Sequence, residues 1–212
     1  MISRLHYISQ QQESITHLEA IKKALDGGCK WIQLRVKNQP EDVVKSYAKD
    51  AKELCDHYNA KLIINDFPNI AKEVKAAGVH LGLLDMPVSN AREILGSEMI
   101  IGGTANTFED VVQRVNEGAN YVGLGPFRFT KTKDKLSPIL GTEGYRNILT
   151  KMRENNLNIP IIAIGGIELE DISSIMDTGV FGVAISGAIT FANDHRIVVE
   201  ELYSKLIFSH QI

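Results

Sequence analysis

Apolar residues in this chain gather in short, β-branched runs, each ending at a small, polar or charged cluster and followed by a stretch of helical periodicity. Seven such runs are QLRVK (33–37), LIIND (62–66), GVHLGLLD (78–85), MIIGGT (99–104), YVGLGPFRFTKTK (121–133), PIIAIGGI (160–167) and GVAISGAI (182–189). RLHYIS (4–9) reads as one more strand at the start. Between and after the strands, helical spacing predicts helices over 15–28, 40–59, 68–78, 88–96, 108–118, 141–156, 168–179 and 196–208. Gly27–Gly28 make a stop for the first, and Pro40–Glu41 suit the first turn of the second.

Eight strand–helix pairs in 212 residues predict a compact α/β fold, a single (β/α)₈ barrel over 1–212. The rival is an open doubly wound sheet, but no GxGxxG follows the first strand, and Gly123 and Gly125 lack the third glycine. In a parallel barrel every strand's carboxyl end faces one mouth, so clusters far apart in sequence meet there.

Those clusters carry the candidate chemistry. Alternation puts Gln33, Arg35 and Lys37 on one face of their strand. An inward charge needs a partner, and a bound phosphate fits better than a neighbouring acid, the other reading. Asp66 and Asp85 end adjacent strands. Each alone suits a helix cap. Paired beside a cationic strand, they suit Mg²⁺, which takes one or two carboxylates plus substrate oxygens. His80, within an apolar strand, reads as a hydrogen-bonded core residue, and the other histidines are assigned to helical or terminal stretches. The polar segment 127–141 contains Thr130, Thr132 and Lys133, and fits a loop closing over phosphate or a solvated surface loop equally well. Gly166 and the Ser186–Gly187 turn follow the last two strands, the frequent phosphate position of such barrels. Together the set suits a doubly phosphorylated substrate carried with a metal ion.

Composition narrows the partners. A net charge of −3, with cations scattered apart from Lys131, Lys133 and Lys135, argues against nucleic acid. The N-terminus has no apolar leader pattern and no run is long enough to span a membrane, so the expectation is a cytoplasmic protein. Cys29 and Cys55 show no ligand spacing and read as small core residues. The oligomeric state is left open, a homo-oligomer included.

Taken in order, the clusters resemble the thiamine phosphate synthase family over about residues 30–190. The matching motifs are QLR-x-K at Gln33–Lys37, IND at Ile64–Asp66, and GVHLG closing on Asp85. They continue with YVG-x-GP and T-x-TK over Tyr121–Lys133, IGGI at Ile164–Ile167, and the last turn at Ser186–Ile189. The resemblance implies a barrel joining a hydroxymethylpyrimidine diphosphate to a thiazole phosphate with loss of pyrophosphate, by a dissociative, Mg²⁺-assisted reaction. It further implies that Gln33, Arg35, Lys37, Asn65 and Lys133 hold the pyrimidine diphosphate, with Arg35, Lys37 and Lys133 serving catalysis. Asp66 and Asp85 would hold Mg²⁺, and Thr130, Thr132, Gly166, Ser186 and Gly187 the thiazole phosphate.

The chain departs from the family at three places. Thr104–Ala105–Asn106 replaces Ser-x-His, with Thr104 keeping a hydroxyl for phosphate; Leu83–Leu84 replaces a polar pair before Asp85; and Gly187 alters the last turn. A same-fold thiazole tautomerase would want a histidine where Asn106 stands. A non-catalytic binder of thiazole or thiamine phosphates is the alternative of another class.

Overall fold

A computed structural model describes residues 1–12, 14–129 and 138–208. Its strands are β1 (Leu5–Ile8), β2 (Trp31–Leu34), β3 (Lys61–Asn65), β4 (Gly78–Leu81), β5 (Ile100–Ala105), β6 (Tyr121–Leu124), β7 (Ile161–Ile164) and β8 (Gly182–Ile185). They pair in parallel in chain order, and β8 closes on β1 with Leu5 opposite Val183. The expected (β/α)₈ barrel is therefore what forms.

The helices are α1 (His17–Asp26), α2 (Glu41–His57), α3 (Pro68–Glu73), α4 (Val88–Leu95), α5 (Phe108–Asn116), α6 (Gly141–Glu154), α7 (Ile172–Met176), α8 (Gly187–Thr190) and α9 (His195–Phe208). Capping boxes fix the starts of two α-helices, Thr16 with Glu19 for α1 and Thr107 with Asp110 for α5. Three boundaries differ from expectation. α3 stops at Glu73 because the chain turns left-handed at Lys75, where φ is 55°. The seventh helix is split, a 3-10 turn at Leu169–Asp171 leading into α7. The short α8 follows β8 directly, before the expected last helix.

Burial falls into two separate cores. Outward strand residues such as Ile32, Ile64, Val79, Ile101 and Val122 pack against the helices, each contributing about 1.5–3 kcal/mol by leaving water. Inward residues Ile8, Trp31, Ile63, Tyr121, Ile162 and Ala184 fill the barrel's interior. Bulky inward rings need small neighbours: a side chain at Gly102 would overlap the Tyr121 ring, and one at Gly123 would come within 3.0 Å of His80. His6, assigned from sequence to a helical or terminal stretch, is on β1 instead, stacked on Trp31 with ring centroids 4.4 Å apart. Both cysteines are buried and unbridged, as expected. No described helix is long and apolar enough to cross a membrane.

Candidate active site at the carboxyl ends of the strands

The inward alternation that places Trp31 and Ile63 in the interior carries on toward the mouth. It brings Gln33 and Asn65 inward, both buried. Asn65 pairs in register with His80 across β3 and β4. Its side-chain amide nitrogen is buried without a partner, a donor that a ligand would satisfy. The β2 ladder ends at Leu34, so Arg35 and Lys37 lie on the loop leaving the strand, not in it. Arg35 is half-buried and Lys37 exposed.

Lys37 forms an ion pair with Asp66. Asp66 has a left-handed φ of 70°, and its N–H donates to the His80 carbonyl at 2.9 Å. α3 begins after Phe67 and α4 after Pro87, each without a side-chain cap bond. The helix-cap alternative for both aspartates therefore fails. Asp85 instead accepts the Gly82 N–H at 2.6 Å, closing the turn after β4. The two carboxyls come within hydrogen-bonding reach of each other. Burial first, and the neighbouring Asp85 second, push Asp66 up to about 6 despite Lys37.

Two carboxylates crowded in this way fit a divalent cation, which would remove their mutual repulsion. Among the described residues no group of three or more His, Cys, Asp or Glu gathers. The remaining ligands would then be substrate oxygens and water, the usual pattern for Mg²⁺.

Thr104 lies within β5, and its hydroxyl meets His80 Nε2 at 3.1 Å. His80 Nδ1 meets the Tyr121 hydroxyl at 3.0 Å, so His80 is the hydrogen-bonded core histidine expected. Asn106 donates its amide to the carbonyls of Ala105 and Gly125. It ties β5 to the segment after β6 and offers no titratable group.

On the other side of the mouth, Gly165 and Gly166 both have positive φ, 101° and 67°. A Cβ on Gly166 would strike Arg128 Cγ at 2.5 Å. The Ser186 hydroxyl donates to the Ile8 carbonyl at 2.7 Å, so this side chain braces β8 against β1. Gly187 opens α8. Thr130, Thr132 and Lys133 lie outside the described residues.

Two contributors escaped the sequence reading. Ser9 Oγ accepts the Arg35 N–H at 3.1 Å and meets His17 Nδ1 at 3.0 Å, anchoring the loop that carries Arg35 and Lys37. Arg114, from α5, reaches the carbonyls of Gly82 and Thr104. The available signal was an arginine in step with Val111 on the buried face of its helix.

Comparison with known proteins gives the family. The family model described as thiamine monophosphate synthase matches residues 5–189, extending the motif resemblance back through β1. A thiamine-phosphate synthase of Flavobacterium johnsoniae is 52% identical over 206 residues, 97% of each chain. That of Phocaeicola vulgatus is 52% identical over 190 residues, covering 90% of this chain and 91% of its own. Among solved structures, a thiamine phosphate pyrophosphorylase from Pyrococcus furiosus superposes with a TM-score of 0.83 at 31% identity, covering 98% of this chain and 96% of that one. A 3-hexulose-6-phosphate synthase, at 15% identity and a TM-score of 0.68, shares the barrel alone. With the family model spanning most of the chain and relatives of this similarity matching it nearly end to end, the protein belongs to the thiamine monophosphate synthase family.

Proposed function

We propose that the protein is a transferase that joins an aminopyrimidine carried on a methylene diphosphate to a thiazole phosphate, giving thiamine phosphate and pyrophosphate. The observation that carries this reading is the Asp66–Asp85 pair with Lys37 beside it, in a chain half identical to thiamine-phosphate synthases along almost its whole length. Metal and cation gathered at one point suit a leaving diphosphate.

Asp66 and Asp85 would hold Mg²⁺, which when bound supplies positive charge to the leaving group. Lys37 and Arg35 bind the diphosphate, Lys133 adds a further cation on the family resemblance, and Gln33 and Asn65 orient the pyrimidine from within the barrel. As the methylene C–O bond breaks, its electron pair leaves with pyrophosphate, and these cations stabilise the growing charge. The aminopyrimidine ring stabilises the cation left on the methylene carbon. The thiazole nitrogen, held by its phosphate at the Gly166 and Ser186–Gly187 turns, with Thr104, Thr130 and Thr132 as further contacts, then forms the C–N bond. The protein forms no covalent bond. Its contribution is alignment and charge.

Asn106 weighs against the tautomerase reading, because its amide is engaged by two carbonyls and cannot transfer a proton. The test is to mix both substrates with Mg²⁺ and follow pyrophosphate. Release that needs both substrates and stops in excess chelator supports the synthase. Thiazole isomerisation, or tight binding of both substrates without pyrophosphate, would sink it.

A further inference from the structure

We propose that Arg114 and Glu117 form a buried clamp that positions the Asp85 carboxylate and the end of β5, making them positioning residues for the metal-carrying side of the site; this rests on the reading of Asp66 and Asp85 as cation ligands. Arg114 is only 2% exposed, and a buried guanidinium is tolerated only when its donors are matched. Here they are. Nη2 donates to the Gly82 carbonyl at 3.0 Å, Nε to the Thr104 carbonyl at 3.1 Å, and Nη1 to Glu117 Oε2 at 2.8 Å.

The placement of these acceptors gives the pair its purpose. The β4–β5 register has Leu81 opposite Gly103. One residue further on, the carbonyls of Gly82 and Thr104 are joined by the guanidinium instead. Gly82 is also the residue whose N–H holds Asp85. At the far end of the same turn, the Val88 N–H donates to Glu117 Oε2 at 3.3 Å. One ion pair thus grips both ends of the turn bearing Asp85, while the turn's tip, Leu83 and Leu84, is exposed and apolar. A polar tip could tether itself; this one relies on its ends. Gly103 makes room for the clamp, since a Cβ there would come within 2.6 Å of Arg114 Cδ.

Arg114→Lys and Glu117→Gln test the proposal, because lysine lacks the planar fork and glutamine the charge. The first readout is amide hydrogen exchange over residues 82–88 in metal-free protein. Exchange there should quicken roughly tenfold or more, as expected when hydrogen bonds to a charged group are weakened. The second is Mn²⁺ binding, followed by the spin-resonance signal of the unbound ion. Its dissociation constant should rise roughly tenfold or more, as when the groups supporting a metal ligand are removed. Unchanged exchange in both variants would overturn the clamp. So would quicker exchange with unaltered Mn²⁺ affinity, provided Asp85→Asn abolishes binding to the wild type. If Asp85→Asn leaves wild-type Mn²⁺ binding intact, the metal reading fails on its own, and exchange alone decides the clamp. Should Arg114→Lys not fold, Glu117→Gln carries both measurements.

Discussion

The two sides of the barrel mouth present different groups to an anion. From β2 to β5 the chain presents charged side chains: Lys37 against Asp66, Asp85 beside it, and Arg114 bracing the turn behind. From β7 round to β1 it presents backbone: the Gly165–Gly166 turn, Gly187 at the start of α8, and Ser186 turned aside to Ile8. Side-chain cations and a metal suit a group whose charge grows during reaction, because their full charges strengthen with it. Main-chain N–H groups suit a phosphate that only has to be held. The asymmetry matches a diphosphate that leaves and a monophosphate that stays.

The largest expected effect comes from the charged side. Asp66→Ala combined with Asp85→Ala should lower turnover roughly a thousandfold or more, at the upper end for a lost stabilising group, with the barrel intact by circular dichroism. Retention of most activity would mean the pair has no part in the chemistry. Lys37→Met should follow, with kcat/KM for the pyrimidine diphosphate down roughly a hundredfold and the thiazole KM little altered. A matching rise in the thiazole KM would erase the division between the two sides.

The carboxylate pair also has a signature in stability. Asp66 is held up at about 6 in the folded chain, against roughly 3.9 when unfolded. The folded state binds that proton more tightly. Stability of metal-free protein should therefore be undiminished below pH of about 4, fall as pH rises to about 6, and change no further from this source. Urea titrations across that range check it: Asp66→Asn should remove the slope, and a slope that persists would assign it to other groups. Divalent cation should flatten it in the wild type.

The smallest effect belongs to the backbone side. Gly166→Val is a poor probe, because the left-handed φ and the clash with Arg128 would disturb the structure itself. Gly187→Ala is cleaner, since an added Cβ would meet Gln10 Nε2 at 3.6 Å and the Phe191 ring at 3.7 Å, ordinary contacts. It should raise the thiazole phosphate KM a few-fold, on the order of 1 kcal/mol for a weakened hydrogen bond, and leave the pyrimidine KM alone. A shift in the pyrimidine KM instead would place the two phosphates the other way round.

What could be read beforehand follows from the range of the interactions involved. The eight strands were legible because each β-branched run is bounded by turn residues, a local signal. The closeness of Asp66 and Asp85 was legible because β3 and β4 are consecutive, so neighbours in sequence order become neighbours in space. The clamp was not, because Arg114 and Glu117 three residues apart look like an ordinary surface ion pair; only the packing of α5 buries the arginine and points it at two strand ends. The end of α3 turned on one left-handed residue, Lys75, that composition does not mark. The Ser186 hydroxyl was legible as a polar group at the right turn, but its bond to Ile8 depends on β8 closing against β1.

The stacked rings inside the barrel have a practical consequence. Trp31 is the chain's one tryptophan, buried on the β2 side of the interior against His6, whose burial lowers its pKa to about 3. That imidazole stays neutral across the working pH range, so protonation of the quenching neighbour cannot colour the indole's emission. Fluorescence of the intact protein is thus a single-site gauge of whether the staves remain closed. An unfolding curve followed by this emission dates the opening of the barrel, while stability differences at the mouth made by a divalent cation register only through their effect on that one event.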